Sequence, residues 1–196
     1  MANIQVLDPH VADLIAAGEV VERPASVAKE LMENAIDAGA STVTVEIAQG
    51  GLTFLRVTDD GKGIPAGEVK TAFLRHATSK LHSEYDLEAI GTLGFRGEAL
   101  AAISAVSRME VLTRTAGEEL GTSLALDGGT PGEPEEAGCP LGTTMVVRDL
   151  FFNTPARLKF MKKDAAEGAA VSAVVQRVAL SHPEVSVKFI RDGKQE

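Results

Sequence analysis

Between residues 24 and 39 apolar side chains recur at three- and four-residue intervals. Val27, Ala28, Leu31, Met32, Ala35 and Ile36 cover one half of a helical circumference. Pro24 suits the first turn of that helix, where amides lack intrahelical acceptors, and Gly39 supplies its end. Alternating character then predicts strands over 43–47 and 52–58, joined at Gly50-Gly51. A glycine turn at 61–63 follows, and a helix is expected from about 67 to 77. The stripe Leu100, Ile103 and Val106 predicts a second helix over 97–106. Strand-like runs lie at 109–114, 123–126 and 143–148. The stretch between the last two, "DGGTPGEPEEAGCPLG", is rich in Pro, Gly and Glu and reads as a mobile surface excursion. A helix over 164–181 and a strand over 185–191 close the pattern, and "RDGKQE" reads as a linker. Helices interspersed with strands predict a layered α/β domain.

Composition narrows the class. With 196 residues and 44% hydrophobic content, the chain can build one large core or two small ones. Trp is absent and aromatics are few, so that core must come from Ala, Val, Leu and Ile. The single cysteine, Cys139, excludes an internal disulfide and a cysteine-cluster metal site. His10, His76, His82 and His182 do not fall at metal-ligand spacing. No apolar run approaches the ~18 residues that span a bilayer, and the start does not read as a signal peptide, so a cytoplasmic protein without a membrane partner is expected. A net charge of -9 argues against a surface that binds nucleic acid as a whole.

Four stretches have the residue types for chemistry. On the first helix Glu30 and Asn34 lie one turn apart where the polar arc meets the apolar one. A carboxylate there can act as a general base and an amide oxygen at i+4 can join a Mg2+ shell, or both can belong to a solvated face with Lys29 near Glu30. Glu33 is read as a solvated residue. In "VTDDGKGIP" (57–65), Asp59 can accept a hydrogen bond from an exocyclic amine while Gly61 and Gly63 admit a flat ring. The alternatives are a plain Asp-Gly turn and a loose dinucleotide fingerprint interrupted by Pro65. "GTLGFRGEALAAIS" (91–104) places glycines before a helix N-terminus, where phosphate can bind beneath Arg96, or where the loop merely caps the helix. Upstream, Thr78, Ser79 and Lys80 form a compact set of donors. "PARLKFMKK" (155–163) gathers cations against the acidic background, as a solvated face or as a contact for DNA phosphates.

The order of these elements carries a resemblance. E-x-x-x-N on a helix, D-x-G-x-G at a strand end, a glycine-rich lid and the later Gly142-Thr143 resemble the four ATP-site motifs of the GHKL superfamily. "IAAGEVVERPASVAKELMENAIDAGA" (15–40), "RHATSK" (75–80), "LGFRGEALAAIS" (93–104) and "DLFFNTPARLKF" (149–160) are similar, block by block, to the MutL family of DNA mismatch repair within it. The resemblance implies a Bergerat-type ATPase fold, a mixed sheet covered by helices on one face, over residues 23–191. It implies an arm at 1–22 that contacts a second copy when ATP is bound, and the start of a linker to a further domain at 192–196. Glu30 would be the general base and Asn34 the Mg2+ ligand. ATP would be held by Asp59, Gly61, Gly63 and Thr143, by a lid of Gly94, Phe95, Arg96, Gly97, Glu98, Ala99 and Leu100, and near Thr78, Ser79 and Lys80. Implied partners are a second copy, a mismatch-recognition protein, downstream repair factors and DNA through the full-length protein, in the nucleoid-associated cytoplasm. The family's active form borrows a lysine from the following domain, so slow hydrolysis is expected here. Leu158 stands where the family has a second arginine. Two rival classes are a non-hydrolysing DNA-binding scaffold and a dinucleotide-dependent oxidoreductase.

Overall fold

The computed structural model describes residues 8–75, 77 and 98–196. Its helices are α1 (Pro9–Val20), α2 (Pro24–Asp37), α3 (Ala99–Ala105), α4 (Pro155–Leu158) and α5 (Asp164–Ser181). Its strands are β1 (Thr42–Ala48), β2 (Phe54–Asp59), β3 (Arg108–Arg114), β4 (Gly121–Asp127), β5 (Thr130–Pro131), β6 (Glu135–Ala137), β7 (Gly142–Arg148), β8 (Ser186–Arg191) and β9 (Lys194–Gln195). One mixed sheet runs in the order β5-β4-β3-β7-β2-β1-β8-β9, with β6 also paired to β4. Only the β1–β8 pair is parallel among the described strands.

Strand alternation and register build the core together. Val45, Val57, Met145, Val111 and Leu124 are cross-strand partners in succession and all are buried. The next row, Ile47, Leu55, Val147, Met109 and Leu126, is also buried. Each such side chain taken out of water contributes about 1.5–3 kcal/mol. The apolar stripe of α2 closes over this face, with Val27, Ala28 and Met32 fully buried, and α5 packs beside it. Gly39, at φ 76°, ends α2: its N–H donates to the Ile36 carbonyl and that of Ala40 to the Ala35 carbonyl.

Four expectations change. The helix expected over 67–77 is two short 3-10 turns, Ala66–Glu68 and Thr71–Phe73; they bury Val69 and Phe73 without a continuous helix. The expected mobile excursion is ordered as β5 and β6. Gly128 and Gly129, both at positive φ, form a two-residue hairpin turn that pairs Asp127 with Thr130. At 192–196, Asp192 and Gly193 turn the chain back and β9 pairs with β8. Residues 9–20 form a helix, α1, which the apolar pattern did not predict; it packs against α3. Gly97, the expected start of α3, lies outside the described residues.

Candidate active site

One step beyond the two apolar rows, the same cross-strand register brings Val43, Asp59, Thr143, Thr113 and Thr122 into line. The core face therefore turns polar at the ends of β2, β7 and β3. Asp59 continues the inward parity of Leu55 and Val57 and is half-buried. Its Oδ1 accepts the Gly61 N–H at 2.8 Å. Burial pushes its carboxyl above the ordinary carboxylate range, while hydrogen bonds from the Gly61 and Thr143 backbone pull the other way. Thr143 is buried and its Oγ1 lies 3.1 Å from the Thr113 hydroxyl.

The loop after Asp59 is held along its length. The Lys62 N–H donates to the Ala38 carbonyl at the end of α2, and the Ile64 N–H donates to Thr113 Oγ1 at 2.8 Å. Glu118 accepts from the Ala66 N–H and from the backbone and hydroxyl of Thr115, which holds its carboxyl below the usual range. The glycines serve this protein packing. At Gly63, φ 73°, a Cβ would stand 2.2 Å from the Arg114 carbonyl oxygen.

Asp60, beside Asp59, has the opposite task. Its carboxylate accepts from the N–H and hydroxyl of Ser41 and from the Thr42 N–H, pinning the start of β1 and lowering its pKa. A group with a depressed folded pKa stabilises above its unfolded value of 3.8, and that stability is lost as pH falls through the folded value. Asp60→Ala is therefore expected to cost on the order of 1 kcal/mol at neutral pH, with the deficit shrinking below pH 4. Urea titrations of both proteins at pH 7 and pH 3 check it.

On α2, the Glu30 side chain is 27% exposed, and Lys29 is shared between two carboxylates: its Nζ is 2.8 Å from Glu33 and 3.8 Å from Glu30. Glu33 is only 13% exposed, so it is a helix-pair partner of Lys29 and not the solvated residue expected. Glu30 lies eight residues, about 12 Å along the axis, before Ala38. Asn34 is half-buried one turn from Ala38, whose N–H it accepts through its backbone oxygen at 3.0 Å. Among the described residues no group of three His, Cys, Asp or Glu could hold a metal. A cation with one protein oxygen and otherwise phosphate oxygens fits such a site, as Mg2+ does.

The structure thus gathers Asp59, Gly61 and Gly63 in one turn with Thr143 beside it on β7, and carries Glu30 and Asn34 on the helix whose end the turn meets. Glu98 precedes the first turn of α3, where Ala99 and Leu100 lie, and its carbonyl accepts the Ala102 N–H. Thr78, Ser79, Lys80, Gly94, Phe95, Arg96 and Gly97 lie outside the described residues. Reasoning from sequence missed Thr113 and Glu118. Thr113 had a signal, because a hydroxyl follows Met109 and Val111 at an inward position. The dinucleotide alternative fails on topology: β2 is antiparallel to both neighbours and leads into a 3-10 turn, so no parallel β-α-β unit starts from it. The basic stretch also divides. Lys159, Lys162 and Lys163 are exposed, whereas Arg157 turns inward to donate to the Val21 carbonyl at 2.7 Å.

Residues 22–128 match the family model described as "Histidine kinase-, DNA gyrase B-, and HSP90-like ATPase". The chain belongs to this ATPase family. Within it the similarity to MutL runs nearly end to end. The chain is 53% identical over 194 residues to the DNA mismatch repair protein MutL of Agathobacter rectalis, covering 99% of this chain and 30% of that protein. To MutL of Desulforudis audaxviator it is 54% identical over 195 residues, 100% of this chain and 34% of the relative. It therefore spans about a third of these relatives' length. The fold matches the Aquifex aeolicus MutL ATPase domain solved with ADP at a TM-score of 0.75 and 34% identity, covering 90% of this chain and 62% of that one. The N-terminal domain of a DNA repair protein matches at 0.76 and 28%, covering 94% and 54%. The mixed sheet with helices on its core face is the fold of this ATPase family. Among the described residues no helix is long and apolar enough to cross a membrane.

Proposed function

We propose that this chain is the ATP-binding and slowly hydrolysing domain of a MutL-type mismatch-repair protein. The observation that carries the reading is the rigid turn Asp59–Gly63, braced against Thr113, Thr143 and the end of the helix that bears Glu30 and Asn34. Asp59 accepts a hydrogen bond from the adenine amine, with Gly61, Gly63 and Thr143 shaping that end. Glu30 orients the attacking water and accepts its proton as oxygen bonds to the γ-phosphorus and the bond to ADP breaks. The Asn34 side-chain oxygen would hold Mg2+, which supplies neutralising charge to the phosphates when bound. Residues 94–100 wrap the phosphates with backbone amides, and Thr78, Ser79 and Lys80 lie close to them.

Lid ordering over the γ-phosphate couples nucleotide to shape, and residues 1–22 then join two copies. Through the rest of the protein, the dimer engages a mismatch-recognition protein, downstream repair factors and DNA in the cytoplasm. In this reading turnover is slow until a lysine from a following domain completes the site. A longer chain that includes that domain should hydrolyse faster; equal rates would remove the argument for a borrowed lysine. The binding claim is tested by thermal unfolding with ATP–Mg2+ against NAD. ATP at ~100-fold its Kd should add about 2.7 kcal/mol of stability. Stabilisation by NAD and not by ATP would overturn the reading.

A further inference from the structure

The block "FFNTPAR" (151–157) is used twice by the structure, each time at the C-terminal end of a helix. Helix ends leave carbonyls without intrahelical donors, and their dipoles favour cations. The last turn of α1 carries no basic residue; Glu19 lies in it and Glu22 just beyond, both unfavourable at that end. The missing cation comes from 136 positions away: Arg157 Nη1 donates to the Val21 carbonyl at 2.7 Å. The guanidinium lies over the ring of Phe151, 5.6 Å from its centroid. It also passes close to Gly18, where a Cβ would stand 2.8 Å from Nη2. Four residues earlier, Asn153 Nδ2 donates to the Ala105 carbonyl, the last of α3, at 2.8 Å. Between them the Phe151 N–H donates to the Val106 carbonyl at 2.7 Å, just past α3. α1 and α3 also pack directly on each other.

We infer that Arg157 and Asn153 are positioning residues of the ATPase, joining α1 and α3 as one unit through a cap shared by both helices. Three residues separate the end of α1 at Val20 from Pro24, which opens α2, the helix of Glu30, and α3 carries Ala99 and Leu100, the last residues of the proposed phosphate-binding stretch. The unit therefore sets how the phosphate side meets the start of the catalytic helix, while Asp59 itself is carried by the sheet, at the end of β2. This step rests on the ATPase reading given above.

Three variants of the full chain test it by hydrogen exchange and by steady-state turnover. Arg157→Gln should speed amide exchange in α1 by about tenfold or more, the worth of a charge-assisted bond, and leave exchange in β1, β2 and β7 unchanged. Its kcat should fall with KM for ATP unaltered. Arg157→Lys, which keeps a cation and a donor, should recover most of both. Gly18→Ala supplies a test of sign. Alanine in a helix interior ordinarily slows local opening, whereas here its methyl would push the guanidinium off the Val21 carbonyl and speed it. Wild-type exchange in α1 for Arg157→Gln, slower exchange for Gly18→Ala, or a loss spread evenly over the sheet would each overturn the clamp. A wild-type chain without turnover would instead count against the ATPase reading, with the exchange data still deciding the clamp.

Discussion

Replacing Glu30 by alanine is expected to leave ATP binding intact and to lower turnover by a factor on the order of 10²–10⁴, the contribution of a positioned general base. Measuring turnover and binding on the same variant separates a loss of chemistry from a loss of the fold. Glu30 is partly exposed, and Lys29 keeps its 2.8 Å partner Glu33 when Glu30 is gone. Glu30 lies outside the buried stripe of α2, whose apolar contacts the substitution leaves in place. Phosphate release under saturating ATP reads the loss, and nucleotide-induced thermal stabilisation reads binding. Undiminished turnover would hand the base to another residue. A wild-type chain that binds ATP but releases no phosphate would favour a nucleotide-gated scaffold.

Asp59→Asn should act in two opposite senses. Its carboxylate is replaced by an amide with a donor where the adenine amine needs an acceptor, so ATP affinity should fall about 10–100-fold, the 1.5–3 kcal/mol of a charged hydrogen bond. The free protein, however, should become more stable at neutral pH. Burial raises the folded pKa of Asp59 above its unfolded value of 3.8, so the folded state binds the proton more tightly. Stability from this group is fully present below pH 3.8 and is lost as pH rises through the folded pKa. Asparagine has no such loss. The melting temperature without nucleotide should rise at pH 7 and converge with wild type in acid. A variant that melts lower at pH 7 would show that Asp59 serves structure and not binding.

The fold was legible where periodicity was long and uninterrupted. Half of the circumference of α2 is apolar, and α5 was bounded correctly at Asp164 and Ser181 by its pattern alone. It was not legible where the deciding partner is distant. α1 depends on a cap from Arg157, and nothing near Val21 announces it. β5 and β6 were hidden by composition, because Pro and Glu suggested a loop while Gly128-Gly129 was the actual signal for a hairpin. Of the two aspartates before Gly61, inward parity after Leu55 and Val57 selects Asp59, and the structure adds why Asp60 differs: its oxygens are taken by Ser41 and Thr42. A second reason for Gly63 was not legible. It admits the Arg114 carbonyl, a neighbour that only the tertiary fold brings.

The placement of Asp59 in the row next to the apolar ones has a consequence for quality control. A strand shifted by one residue turns every side chain to the other face. Such a slip in β2 would put Thr58 in place of Asp59 and in the same movement expel Leu55 and Val57 from the interior. A slip of β2 in that direction thus loses the packing of the strand and the Asp59 carboxylate together. On the proposed adenine contact, immobilised nucleotide should retain correctly aligned molecules in preference to those slipped toward Thr58.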